Sequence, residues 1–183
     1  MKYNEYVAEI HKNAVEHGWW EDERPFASIV SLIHSELSET LEEERAGRPF
    51  VYVNDEHNGR ETDLEKFNGR KPEGTGIELA DTVIRILDLA GHYRVDVDNV
   101  MEYKFLDIIP DIHTLIADCH LYISEAYMKY HTGESMDKIF SSLCEVICMV
   151  NEYIAEAGYS MEQLINIKHE YNKTRPYKHG KRF

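Results

Sequence analysis

The sequence predicts an all-α fold, a helical bundle, and three observations carry that expectation. Strand-type alternation of apolar and polar residues is nearly absent. Apolar residues recur instead at helical spacing, in runs set apart by glycine, proline and other turn residues. The chain also echoes itself: amphipathic words of its first half return, in order, in its second.

The first helix is expected at about 3–17, stopped by Gly18, and the second at about 26–46, ending in "AGRP". The segment from Arg48 to Gly76 is the one long irregular stretch, and a loop of that length in a compact domain is usually functional or disordered. A third helix follows "NGRKPEGTG" at about 76–91, closed by Gly91, and a fourth is expected at about 96–107, before Pro110. The remaining helices fall at about 111–131, 135–157 and 160–174, separated by "HTGE" and Gly158 and ended by Pro176.

The echo runs through these elements. "HSELSETLEEERAG" (34–47) lies over "HLYISEAYMKYHTG" (120–133), so that His34 matches His120, Ser38 Ser124, Glu39 Glu125 and Gly47 Gly133. "ELADTVIRILD" (78–88) lies over "SLCEVICMVNE" (142–152), and "VDVDNVMEYK" (95–104) over "YSMEQLINIK" (159–168). The one length difference falls in the 48–76 loop. One helical domain, 1–183, is therefore read as two diverged copies, at approximately 26–107 and 111–183, packed as a pseudo-symmetric bundle.

Composition narrows the function. With 183 residues, 43% of them hydrophobic, the chain can bury a sizeable core. No run approaches the ~20 apolar residues of a membrane span. The N-terminal "MKYNEYVAEIHKNAVEHGWW" has no signal-peptide core, so a soluble, cytoplasmic protein without a membrane partner is expected. Cys119, Cys144 and Cys148 sit in helical patterns with no Cys-x-x-Cys, which reads as buried reduced thiols. A net charge of −14 argues against nucleic acid as the main partner. A nucleotide held through a divalent cation remains compatible with it, as does homo-oligomer formation. The C-terminus is a local exception: after Glu170 come Lys173, Arg175, Lys178, Lys181 and Arg182 and no acid.

The chemistry concentrates in two acidic helices. On a wheel at about 100° per residue, Ile29, Leu32, Ile33, Leu37 and Leu41 form an apolar arc; Glu36 lies inside it and Glu39 and Glu43 at its edge. In the third helix Glu78 and Asp81 border the arc of Leu79, Val83, Ile86 and Leu87 in the same way. Acidic residues that flank a core stripe and reach out to solvent are the plain reading of either helix alone. Side by side, the helices would bring four carboxylates together, a conflict that a divalent cation resolves. Carboxylates without Cys or His select hard ions, so Mg²⁺, or Mn²⁺, is expected rather than Zn²⁺. None of the ten histidines follows a Glu-x-x spacing, which argues against a ferritin-like di-iron site. Arg85, one turn after Asp81, reads as a helix ion pair with Asp81 or as a phosphate contact. Lys168, Asn172 and Arg175 share one helix face, suited to holding phosphate.

Glu36-x-x-Glu39 followed by Glu78-x-x-Asp81 resembles the paired acidic motif of the MazG-like nucleotide pyrophosphohydrolases, in the all-α NTP pyrophosphatase superfamily with the dimeric dUTPases and phosphoribosyl-ATP pyrophosphatase. The words "HGWW", "SLIHSELSETLEE", "KPEGTGIELADTVIRILDLAG" and "YNKTRPYKHGKRF" strengthen the resemblance, which covers 17–47, 71–104 and 168–183. It implies a bundle of the all-α NTP pyrophosphatase type and a Mg²⁺-dependent hydrolase cutting a nucleoside triphosphate between its α and β phosphates. It further implies Glu36, Glu39, Glu78 and Asp81 as metal ligands and Lys168, Asn172 and Arg175 as phosphate contacts.

The chain departs from the pattern in one respect. In single-copy relatives the Lys-Asn-Arg tail follows the second acidic helix closely; here it follows the second copy. The first copy then keeps the acids and the second the tail, with Tyr122, Glu125, Ser142 and Glu145 where Glu36, Glu39, Glu78 and Asp81 stand in the first. Glu39 is the expected proton acceptor, on position only, with Glu36 beside it in the catalytic set. Trp19, Trp20 and tyrosines of the 48–76 loop are candidates to stack a base, against the plainer reading of one tryptophan as core. The alternative function is a catalytically weak nucleotide-binding or regulatory bundle.

Overall fold

The computed structural model describes residues 2–55, 59–101 and 111–180, and it is all-α with one small sheet. The helices are α1 (Tyr3–Glu16), α2 (Phe26–Arg45), α3 (Thr75–Tyr93), α4 (Val97–Val100), α5 (Ile112–His131), α6 (Met136–Glu156) and α7 (Met161–Lys173). Side-chain caps mark where several begin. Asp111 accepts from the backbone N–H groups of His113 and Thr114, Ser135 from that of Lys138 and Ser160 from that of Gln163. Each satisfies donors that the first helical turn leaves unpaired.

Two expectations are corrected. The fourth helix was expected over 96–107, but α4 is one turn, held by the Asp96 cap, and Met101 already has extended backbone. Two valines and an asparagine in four residues give it little intrinsic helicity. Positions 102–107 of the expected helix lie outside the described residues. The 48–76 stretch is not wholly irregular: β1 (Tyr52–Asp55) pairs antiparallel with β2 (Gly59–Glu61) and with β3 (Pro72–Glu73), in the order β2-β1-β3. Strands this short carry too little alternation to be read from sequence.

α3 organises the bundle. It packs against α1, α2, α6, α7 and β3, and its Ile77, Leu79, Val83, Ile86 and Leu87 are fully buried. Gly91 lets α1 come close, since a Cβ there would lie 2.4 Å from that of His11. The sheet is tied to α2 by Glu43, which accepts from Arg48 at 2.5 Å and from the Tyr52 hydroxyl at 3.1 Å. α2 and α5 also pack together, and His34 and His120 meet across them with their Nδ1 atoms 2.7 Å apart. These two residues hold equivalent positions in the sequence echo, so that seam brings like to like. All three cysteines are free and buried, and burial pushes the Cys119 and Cys144 thiols up to about 12. Among the described residues no helix is long and apolar enough to cross a membrane.

The entry into α3 depends on Gly74. Its φ is 112°, and a Cβ would fall 2.6 Å from the carbonyl oxygens of Pro49 and Phe50, where Phe50 accepts from the Gly76 N–H. Gly74→Ala is therefore expected to destabilise the protein by about 1–3 kcal/mol, read as a lowered midpoint in urea unfolding followed by circular dichroism. An unchanged midpoint would show that the β3–α3 turn tolerates a side chain.

Candidate metal and phosphate cleft

The cleft forms where α2 meets α3. Glu36 projects from α2, and Glu78 and Asp81 from α3, each offering one carboxylate oxygen, and these three oxygens lie within 4.8 Å of one another. Glu36 and Glu78 are each 5% exposed. One turn after each stands a buried threonine whose hydroxyl donates back into its own helix: Thr40 to the Glu36 carbonyl and Thr82 to that of Glu78. The threonines are thus satisfied locally.

Two cations face the acids. Arg85 Nε donates to Glu36 Oε1 at 3.0 Å, and Lys168 Nζ pairs with Asp81 Oδ2 at 2.7 Å. Burial dominates the carboxyl energetics. It raises Glu36 to about 7, helped by Asp81 and opposed by Arg85. Glu78 rises to about 8 through burial, opposed by Lys168 and helped by Asp81 and Glu36. Burial alone would lower the two cations; the neighbouring carboxylates outweigh it and hold Arg85 and Lys168 above their ordinary values.

The expected site residues are distributed as follows. Glu39 lines the same cleft but is exposed and stands outside the close trio. Arg85 does not use Asp81 as its hydrogen-bonding partner; it reaches across to α2, a partner no single-helix wheel can show. Lys168 lines the acidic cleft, and Arg175 lines both it and an adjoining side pocket. Asn172 lines the side pocket instead of the acidic cleft. The rings expected to stack a base also divide. Trp19 is buried and lines both spaces. Trp20 is held elsewhere, its Nε1 donating to Asp88 at 2.9 Å and its ring stacked on His92 at 3.9 Å. Tyr52, the one tyrosine of the 48–76 segment, is buried and bonded to Glu43, so it serves the sheet.

Sequence reasoning missed Lys71 at the cleft rim, paired with Glu73 at 2.7 Å, and His169 and Asp88 in the side pocket. The lysine in "KPEGTG" directly before the acidic helix was the available signal. The counterpart positions in the α5–α6 half look different. There Lys129 Nζ contacts Ser142 Oγ at 2.7 Å and Glu125 Oε1 at 3.1 Å, so an ammonium sits among the residues that the sequence echo aligns with the acids.

The trio suits a hard divalent cation. It offers oxygen donors only, too closely spaced to share burial comfortably, and Arg85 and Lys168 together supply one charge fewer than the three carboxylates carry when ionised. Comparisons with protein-family models, with curated proteins and with solved structures find no match.

The raised carboxyls make stability depend on pH in a defined direction. Unfolded, both titrate near 4.5, so from there to about 8 the fold holds protons that the unfolded chain has released. The stability that a neutral Glu78 confers is lost as pH rises through that window. Glu78→Gln stays neutral throughout. Without metal, its melting temperature relative to wild type is expected to climb from about pH 5 to about pH 8 and then level off, and Mg²⁺ added to wild type should narrow the gap. A gap independent of pH would show that Glu78 is not held neutral in the fold.

Proposed function

We propose that this cleft is the active site of a metal-dependent nucleoside triphosphate pyrophosphohydrolase, which releases a nucleoside monophosphate and pyrophosphate. The observation that carries the reading is one cleft holding both halves of a polyphosphate site: the buried Glu36 and Glu78 with the half-buried Asp81, and beside them Lys71, Arg85, Lys168 and Arg175. A cluster of acids alone would suit a cation, and a cluster of bases alone an anion; together they suit a triphosphate carried with its Mg²⁺ or Mn²⁺.

Glu36, Glu78 and Asp81 would hold the ion, with Glu39 lining the same cleft. When bound, it would neutralise phosphate charge and lower the pKa of a water in the cleft. The chain's own groups do the rest. Glu39, exposed in the same cleft, is placed to accept a proton from an attacking water. Arg85 fixes the Glu36 carboxylate by its hydrogen bond, which limits the orientations that carboxylate can take. Lys71 and Arg175, at the rim, meet the phosphates as charge-assisted donors. Arg175 is brought there because the chain after α7 folds back onto the end of α1, where the Lys178 N–H donates to the His17 carbonyl and the Tyr177 hydroxyl to Glu21.

The same reading makes the chain a tandem pseudo-dimer with one active site, working in the cytoplasm. Its support is the like-to-like contact of His34 and His120 and the ammonium of Lys129 at the counterpart position.

Incubation with deoxynucleoside and nucleoside triphosphates and Mg²⁺, with products identified, tests the reaction. Pyrophosphate and monophosphate are expected, and EDTA should abolish their release. Glu39→Gln and Asp81→Asn should each lower kcat by roughly 10²–10⁴-fold with the circular dichroism spectrum kept. Near-normal turnover in both would remove these acids from the mechanism. Glu125→Gln, on the other half, should leave kcat and KM within about twofold; a loss comparable to that of Glu39→Gln would mean that both halves catalyse.

A further inference from the structure

The seam between α2 and α5 holds a pair of side chains that the acidic cleft does not use. His34 and His120 face each other there, with Nδ1 atoms 2.7 Å apart and ring centroids 4.9 Å apart. Both residues are half-buried, and among the described residues neither ring has another hydrogen-bond partner. Their settings match. Ser38 donates to the His34 carbonyl and Ser124 to that of His120, so each hydroxyl is spent on its own helix. Every residue three or four positions from either histidine is uncharged. No carboxylate one turn away is there to pair with an imidazolium, and burial lowers the pKa of both rings, which keeps them neutral near pH 7.

Two neutral imidazoles joined at Nδ1 must take opposite tautomers, one donating and one accepting. Moving the donor's proton to its own Nε2, by exchange with water, leaves two Nδ1 lone pairs converging on one point. The neutral imidazole nitrogen is the commonest metal ligand among side chains, and binding in this form releases no net proton. An ion about 2.0–2.1 Å from each nitrogen in a tetrahedral site holds the two about 3.3 Å apart, so the rings have to part by about 0.6 Å. A small rotation about the side-chain bonds supplies that. Nitrogen donors select Zn²⁺, Ni²⁺ or Cu²⁺, whereas the carboxylate trio of the cleft suits Mg²⁺. Ser31, Ser38, Leu121 and Ser124, next to the pair along the two helices, are exposed. Water can therefore fill the positions that two protein ligands leave open.

We infer that His34 and His120 form a binding site for a late first-row transition ion, Zn²⁺, Ni²⁺ or Cu²⁺, across the α2–α5 seam. The ion ties α2 to α5 and so braces the helix that presents Glu36 and Glu39 to the cleft. The site shares no residue with the acid trio and does not depend on the triphosphate reading.

The test titrates Cu²⁺, Ni²⁺ and Zn²⁺ separately into the full chain, with Mg²⁺ in excess to occupy the acids, and follows binding by calorimetry. Wild type should bind one Cu²⁺ more tightly than Ni²⁺ or Zn²⁺, and each ion should raise the melting temperature. The electron paramagnetic resonance spectrum of bound Cu²⁺ should carry the splitting of two imidazole nitrogens. His34→Gln and His120→Gln keep a polar side chain at the seam. Each should weaken binding by about tenfold or more, leave the splitting of one nitrogen and remove the rise in melting temperature. His34→Asn and His120→Asn repeat the comparison if glutamine disturbs the seam. Glu78→Gln should leave the Cu²⁺ affinity and spectrum as in wild type. Binding that persists in both histidine variants, or that Glu78→Gln removes, puts the ion on other groups and overturns the proposal. A wild type that binds none of the three ions more tightly than about 100 µM overturns it as well, for the pair is then a hydrogen bond and nothing more.

Discussion

Three carboxylates within 4.8 Å of one another, two buried and one half-buried, set terms that the surrounding structure has to meet. Like charges at that separation cannot all be ionised away from water without help. The fold answers in two ways at once. It brings in two cations, Arg85 from the same helix as two of the acids and Lys168 from α7, and it lets Glu36 and Glu78 keep protons to unusually high pH. With all three ionised, the two cations leave one negative charge over, and that excess is a demand for positive charge at the wall of a cleft. That demand is the property a cation-dependent enzyme would use.

Much of the remaining architecture can be read as the means of placing those partners. α3 carries Glu78, Asp81 and Arg85, and it is the helix against which α1, α2, α6 and α7 all pack. Its buried face fixes the rotation of the helix, and the rotation fixes where the acids point. α7 brings Lys168 to Asp81 because it lies on α3, with Ile165 and Leu164 buried beneath it. The sheet holds the entry to α3: Gly74 and Gly76 meet Pro49 and Phe50 there, and Lys71 follows at the rim. A displacement at any of these contacts would be felt in the charge cluster, since a shift of about an ångström is enough to break a charge-assisted hydrogen bond.

The helices were legible because their signals are local. Turn residues and apolar spacing placed all but the fourth with good agreement, and the wheel set Glu36 inside the apolar arc and Glu78 on its border, where both are buried. It also set Glu39 at the edge of the apolar arc, and that residue is the exposed one. What the sequence could not show was anything decided between elements. Arg85 took a partner on α2, Trp20 was pinned by Asp88 and His92, and Asn172 lined a different space from Lys168, although the helix-face argument had joined them. The strands escaped for another reason: they are two to four residues long and all but hidden among turn residues.

The proposed duplication gives the two halves the same problem with different solutions. In the first, an acid pair on each of two helices is kept, and Arg85 from α3 and Lys168 from α7 face the acids. In the second, tyrosine and serine stand at two of the aligned positions, and Lys129, one turn after Glu125, pairs with Glu125 and donates to Ser142. A lysine there places an ammonium where the first half leaves its acids to Arg85 and Lys168. The first half has glutamate at the matching position, Glu43, and that residue is turned to another use, binding Arg48 and Tyr52 to hold the sheet. The loss of two acids and a lysine where the first half has glutamate together separate the two halves. The first half is also the one beside Lys71 and Arg175, and on the proposed reading this is the physical reason for expecting one site in each chain.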